Sequence, residues 1–130
     1  MPPEYADLPY LAEHYGCLEW TVRAIYTAYL GWFDGNPTNL HPTPPKKRSQ
    51  KMIALMGGRQ AVLDAAKSAV REKDYQWCLE LCDILLADEA SAGKEVFQLK
   101  AAALEMTAEY ETSANGRHYY IAYAKELREK

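Results

Sequence analysis

The stretch MGGRQAVLDAAKSAVREKDYQWCLELCDILL, residues 56–86, contains the start and stop signals of successive helices. Gly57 and Gly58 are expected to end a preceding helix, because glycine adopts a positive φ without steric cost. A helix with a face of small alanine side chains is predicted from about Gln60 to Glu72. Asp74 is a good N-cap for the next helix, from Tyr75 to Ala87. The core candidates in that last helix are Trp77, Leu81, Ile84 and Leu85. This stretch therefore predicts helices packed on helices.

Helical signals also occur on both sides of this stretch. Apolar residues recur at three- and four-residue steps from Leu18 to Leu30, and Gly31 is expected to end that helix. Thr43 is expected to cap the next helix, which carries prolines in its first turn. Towards the C-terminus, the signals are a cap at Ser91, a helix to about Tyr110, a break at Asn115-Gly116 and a helix over residues 117–130.

The predicted fold class is all-α, because no window alternates apolar and polar residues over the length of a strand. We expect a bundle of about five to six helices in a single domain, with an N-terminal arm over residues 1–17 and the helical domain over residues 18–130. Residues 74–87 and 92–110 are similar in spacing to one tetratricopeptide-type hairpin. No convincing second copy follows, so a peptide-binding adaptor is the alternative function.

Composition narrows the classes of function. The 130-residue chain has a net charge of −3, which argues against a nucleic-acid partner. No stretch approaches the roughly 20 apolar residues needed to span a bilayer, and the first residues lack a signal-peptide layout. The three cysteines are an odd number for a disulfide-stapled fold, so a reducing, cytoplasmic location is favoured although the compartment is not written in the sequence.

Catalytic and metal-binding patterns are missing from the sequence. Cys78 and Cys82 lie four residues apart on one predicted helix but have no further ligands nearby, so we expect them to be buried core residues. The histidines, at positions 14, 41 and 118, are scattered. We therefore expect this chain alone to be non-catalytic, with no cofactor and no metal ligands of its own.

Aromatic residues cluster in the N-terminal third, in the segment YLGWFDGNPTNLHPTPP of residues 29–45. A segment without its own core leaves apolar area that must be covered. Two interpretations stay open at this point. Either the segment folds back on the chain's own helices, or another polypeptide covers it, since aromatic residues are favoured anchors of protein interfaces.

The segment VRAIYTAYLGWFDGNPTNLHPTPP, residues 22–45, closely resembles the start of the dimerisation domain of alkyl sulfatases. The segments MGGRQAVLDAAKSAV, DYQWCLELCDILL and NGRHYYIAYAKEL are similar to later parts of that domain. These enzymes are zinc-dependent hydrolases built on the metallo-β-lactamase fold. The resemblance implies a homodimer and an adjoining catalytic domain, which would hold the zinc and hydrolyse sulfate esters of alkyl chains.

The resemblance also implies roles for particular residues. Arg23 matches the family and would either contact the substrate's sulfate in the parent enzyme or form an ordinary ion pair on its helix. Many members have Ser-His-Asn where this chain has Glu19, Trp20 and Thr21, so Glu19 is the weak candidate for a metal ligand. The expected interface residues are Tyr29, Trp32, Phe33, Asn36 and Pro37. The turn at residues 35–37 would lock the two aromatic residues, Trp32 and Phe33, at a junction with the catalytic domain or with a second subunit.

Overall fold

The structure is a computed structural model that describes residue 5 and residues 8–88 and 93–130. Over these residues the chain is helical and contains no strand, so the all-α prediction is confirmed. Short 3-10 helices lie at Pro9–Leu11 and Pro37–Asn39. The α-helices are α1 (Leu18–Leu30), α2 (Pro45–Leu55), α3 (Arg59–Arg71), α4 (Tyr75–Leu86), α5 (Lys94–Tyr110) and α6 (Ala114–Arg128). None of the described helices is long and apolar enough to cross a membrane.

Several helix ends lie where the sequence signals placed them. Helix α1 ends at Gly31, which has a φ of 76°, and Gly57 and Gly58 have φ values of 88° and 99° between α2 and α3. The Asp74 side chain accepts a hydrogen bond from the Trp77 backbone N–H at 3.2 Å. These predictions are confirmed because each depends on local chemistry, namely glycine's freedom and a carboxylate acceptor.

Two predicted boundaries are wrong, and a third lies outside the described residues. The N-cap of α2 is Pro44 rather than Thr43, and no side chain caps that helix. The Asn115-Gly116 pair lies inside α6 rather than before it. The Ser113 hydroxyl accepts a hydrogen bond from the Gly116 N–H at 3.4 Å, so Ser113 is the N-cap and the helix begins at Ala114. The predicted cap at Ser91 is not among the described residues, and α5 begins at Lys94.

The core lies between α3, α4, α5 and α6. Helix α4 packs against α3 and α5, and α5 packs against α6. Both Cys78 and Cys82 are fully buried in α4, as predicted. The Trp77 prediction is wrong, because that side chain is 43% exposed. The side chains of α4 that face the core are those of Cys78, Leu81, Cys82 and Leu85. Trp77 lies on the face beside α2.

The described residues before α3 contribute no fully buried side chain. The first buried residue along the chain is Val62, in α3, and α1 contains none. Helix α2 contributes only partial burial, through Ile53 packed against the core. The described residues therefore form a compact helical bundle and a largely uncovered N-terminal segment, residues 5 and 8–44. We call this segment the arm from here on; it is longer than the arm of residues 1–17 that the sequence predicts.

Candidate interface on the N-terminal arm

The arm presents many exposed apolar side chains. Helix α1 carries them at helical spacing, and the loop after Gly31 extends the series. We call this set the arm surface. Its members are Leu18, Trp20, Val22, Ile25, Tyr26, Tyr29, Leu30, Trp32, Phe33 and Leu40, all at least 40% exposed. Scattered exposed apolar residues are ordinary on a monomer, whereas their concentration in residues 18–40 makes this segment a candidate interaction site.

The most prominent part of the arm surface is an aromatic pair. The rings of Trp32 and Phe33 meet edge to face, with centroids 5.7 Å apart and an interplanar angle of 61°. Trp32 is 72% exposed, and the neighbouring Tyr29 is 85% exposed. The chain's own helices therefore do not cover these residues. Of the two interpretations that the sequence left open, packing on the chain's own helices is not observed among the described residues, and cover by another polypeptide stays a prediction.

A network of short-range hydrogen bonds holds the loop that carries the aromatic pair. The Asp34 carboxylate accepts bonds from the Asn36 N–H at 2.9 Å and from the Asn39 side-chain amide at 2.6 Å. Asn36 in turn accepts a bond from the Thr38 N–H at 3.1 Å. Pro37 then opens a 3-10 helix. The loop is ordered by its own side chains, so less conformational entropy is lost when the aromatic pair is buried by a partner.

Asp34 is a residue that the sequence analysis missed. Its role in the loop has a recognisable signal, because Asp and Asn side chains bond to backbone groups two residues further along the chain in such turns. Asn36 and Pro37 were predicted as interface residues, whereas the structure assigns them a role in shaping the turn. Their contact with a partner stays a prediction.

The arm is attached to the bundle at the start of α6. The His14 carbonyl accepts a hydrogen bond from the Ala114 N–H at 2.6 Å. The Trp20 ring lies so close to Gly116 that a Cβ there would be 2.9 Å from Trp20 Cη2. The N-cap residue Cys17 makes no side-chain hydrogen bond to α1. The Glu13 carboxylate takes this role by accepting a hydrogen bond from the Leu18 N–H at 2.8 Å. These contacts set the direction in which α1 leaves the bundle.

The polar candidates on α1 lie on its exposed side. Arg23 and Glu19 form an ion pair at 2.5 Å within the helix, with both side chains largely exposed. This is the ordinary pairing that the sequence left open for Arg23, while its contact with sulfate in a parent enzyme stays a prediction. The assignment of Glu19 as a candidate metal ligand in such a parent also stays a prediction.

The described residues do not fit a metal ion. No group of three or more His, Cys, Asp or Glu residues converges in residue 5, residues 8–88 or residues 93–130. In the core, the hydrogen bond with Cys78 and burial raise the pKa of the Cys82 thiol, whereas the same hydrogen bond lowers the pKa of Cys78. Both cysteines are buried core residues, and the absence of metal ligands in this chain stays a prediction.

The size of the arm surface is comparable to one side of a stable protein interface. A buried aromatic side chain accounts for about 150–250 Å². With Tyr26, Tyr29 and Trp32 each at least 65% exposed, the aromatic residues of α1 and its loop present several hundred square ångströms. The aliphatic residues add to this area. A stable interface takes about 800 Å² from each partner, which is of the same order as this exposed area.

Helices α4 and α5 bear on the alternative function. A peptide-binding adaptor was predicted to hold its ligand between residues 74–87 and 92–110. In the structure α4 packs directly against α5, and residues of each, such as Leu81 and Ala101, are buried in the common core. The likeness of this pair to a tetratricopeptide hairpin stays a prediction.

Comparison with known proteins identifies relatives along the whole chain. The family model for alkyl sulfatase dimerisation matches residues 1–130. The chain is 39% identical over 131 residues to a linear primary-alkylsulfatase of Pseudomonas sp. (strain ATCC 19151), covering 100% of this chain and 25% of the relative. It is 37% identical over 129 residues to an (R)-specific secondary-alkylsulfatase of Pseudomonas sp., covering 98% and 19%.

A solved structure gives the same result. The stereoselective inverting sec-alkylsulfatase Pisa1 from Pseudomonas sp. matches with a TM-score of 0.83 at 39% identity, covering 92% of this chain and 19% of that protein. The chain thus spans about a quarter or less of the length of these relatives. The resemblance inferred from the sequence motifs is confirmed.

Proposed function

Because the chain belongs to the alkyl sulfatase dimerisation family, we propose that it joins two copies of a larger sulfuric-ester hydrolase into a homodimer and is itself non-catalytic. The observation that carries this proposal is the uncovered α1. None of its 13 residues is buried by the rest of the described chain, although its apolar side chains recur at helical spacing. A second copy supplies the missing cover.

The energetics favour association through this surface. Burying one Trp or Phe side chain stabilises by roughly 2–3 kcal/mol. A two-fold dimer buries the same patch on both chains, so each side chain of the arm surface counts twice. The loop around Asp34 is already ordered, which lowers the entropic cost of docking. These terms together support a stable dimer.

The reaction belongs to the part of the parent enzyme that this chain does not contain. The proposed parent carries a metallo-β-lactamase-like domain that holds zinc and hydrolyses sulfate esters of alkyl chains. The relatives' names, primary and secondary alkylsulfatase, support that substrate class. In the parent, Arg23 would contact the substrate's sulfate and Glu19 is the weak candidate ligand. The role of this chain is to fix the positions of two such domains.

The test is the mass of the 130-residue chain by size-exclusion chromatography with light scattering. At about 50 µM we expect twice the chain mass of 14.8 kDa. The triple variant Tyr29→Ala, Trp32→Ala, Phe33→Ala is expected to elute as a monomer with unchanged helix content. Tyr119→Ala is the matched control, since Tyr119 is 74% exposed but lies on α6. A monomeric wild-type chain would contradict the proposal.

A further inference from the structure

A second apolar feature lies where the end of the arm meets α2. A groove of about 590 Å³ runs between the start of α2 and the face of α4. Its apolar lining consists of Pro42, Pro45, Met52, Trp77, Ile84 and Ala87, and its polar lining of Thr43, Arg48, Ser49, Glu80 and Asp83. Trp77, 43% exposed, forms part of this lining. Concave apolar sites with a few polar groups are typical binding sites.

The groove is continuous with the arm but is not filled by it. Pro42 and Thr43, at the end of the arm, form part of the lining, while Trp32 and Phe33 do not reach it. The chain therefore carries an exposed aromatic pair and an apolar groove that the pair does not enter. In a two-fold dimer, a patch on one copy that contacts a different patch on the other does so reciprocally.

We propose that the groove between α2 and α4 of one copy receives the Trp32–Phe33 pair of the second copy. This proposal rests on the proposed dimer and names the contact that holds it together. Two aromatic side chains are of the size that a groove of this volume encloses. Reciprocal insertion buries two aromatic pairs and two copies of Trp77, which are the residue types that dominate binding energy at interfaces.

Charge complementarity supports the same pairing. Asp34 directly follows Phe33, and its carboxylate accepts hydrogen bonds from the Asn36 N–H and the Asn39 amide, neither of which carries a charge. Arg48 lines the groove. Glu80 and Asp83 also line the groove, and Asp83 is already bonded to Lys100. In the proposed dimer the Asp34 carboxylate pairs with the Arg48 guanidinium, and opposite charges across an interface fix its register.

The test is photo-crosslinking of the full chain with p-benzoylphenylalanine in place of Trp32, which keeps a large aromatic group at that position. Equal amounts of ¹⁴N- and ¹⁵N-labelled chain are mixed, irradiated and analysed by mass spectrometry. We expect mixed-isotope crosslinks from position 32 to residues 42–52 or 77–87. The same photoprobe in place of Tyr119, outside both features, is the control and is expected to give none to these segments.

The other outcomes separate this proposal from the dimer itself. Mixed-isotope crosslinks only to the partner's α1, or same-isotope crosslinks only, would overturn the groove contact while the dimer stands. A monomer by light scattering would overturn both.

A second measurement uses Trp77→Ala, which we expect to weaken dimerisation by about tenfold or more in sedimentation equilibrium. An unchanged dissociation constant, with helix content retained, would overturn the groove contact.

Discussion

The bundle and the arm use similar side chains in opposite ways. In the bundle, Leu81, Leu85 and Leu127 are at most 2% exposed. On the arm, Leu18 and Leu30 are 57% and 62% exposed, although they also lie on an apolar stripe of a regular helix. Periodicity states which face of a helix is apolar, but not which molecule covers that face. An apolar helix left uncovered by its own chain therefore indicates a partner.

The largest expected difference between the two regions is in the cost of truncating a leucine. Leu85→Ala removes a fully buried side chain and leaves a cavity, so we expect a loss of about 2–5 kcal/mol in the free energy of unfolding. Leu30→Ala removes an exposed one and should cost less than about 0.5 kcal/mol. Both are measured by urea denaturation in the Trp32→Ala, Phe33→Ala background, so that dimerisation does not contribute. Equal losses would show that the arm belongs to the same core.

The second-largest expected effect is the loss of stability on breaking an ion pair within the bundle. The Lys100 ammonium is buried, bonds to Asp83 and lies 4.8 Å from the centre of the Tyr123 ring. Asp83→Ala leaves this buried ammonium without its carboxylate, and we expect a loss of about 1.5–3 kcal/mol. Glu80→Ala, on the same helix and exposed, is the control. Equal stability of the two variants in urea denaturation would mean that water replaces the carboxylate.

The joint between the regions can be tested at Gly116. Alanine within a helix normally stabilises by about 1 kcal/mol relative to glycine. Here the added Cβ would lie 2.9 Å from Trp20 Cη2 and 2.8 Å from the Glu111 carboxyl carbon. We expect Gly116→Ala to be destabilising by about 1 kcal/mol, and less so in a Trp20→Ala background. Thermal unfolding of the four variants in a double-mutant cycle measures this coupling, and additive effects would contradict the contact.

The smallest expected effect is the pH dependence of a surface pair that ties α5 to α6. The hydrogen bond with Arg128 lowers the pKa of Glu105. A lowered folded-state pKa adds stability above the unfolded pKa, about 4.3 for Glu, and that stability is lost as the pH falls through the folded value. Glu105→Gln should therefore have a slightly lower Tm at pH 7 and the same Tm as wild type near pH 2. A Tm difference that persists in acid would contradict this origin.

Much of the fold was predictable, because its signals are local. The predicted helix ends at Gly31 and Gly57-Gly58 depend on backbone conformation, and the predicted cap at Asp74 depends on a single side chain. Each of these predictions is confirmed. Trp77 was misplaced because hydrophobicity alone cannot tell a core-facing position from the wall of a groove. Such a distinction depends on α2, which is distant in sequence.

The candidate site was predictable only in part. The aromatic pair and its rigid turn are visible in the sequence, but Asp34 was overlooked and the attachment of Trp20 to Gly116 joins residues far apart in the chain. Gly116 was interpreted as a helix break, whereas it lies in α6 and makes room for an aromatic ring. Contacts between distant segments follow from packing and cannot be read from local patterns.

The central claim is that a second copy covers the arm surface, and hydroxyl-radical footprinting of the wild-type chain across a dilution series tests it most directly. As the chain passes from monomer to dimer, we expect Tyr29 and Trp32 to lose most of their labelling, while Tyr119, 74% exposed on α6, keeps its own. If Tyr29 and Trp32 label equally in monomer and dimer, the arm surface is not the interface and the account is contradicted.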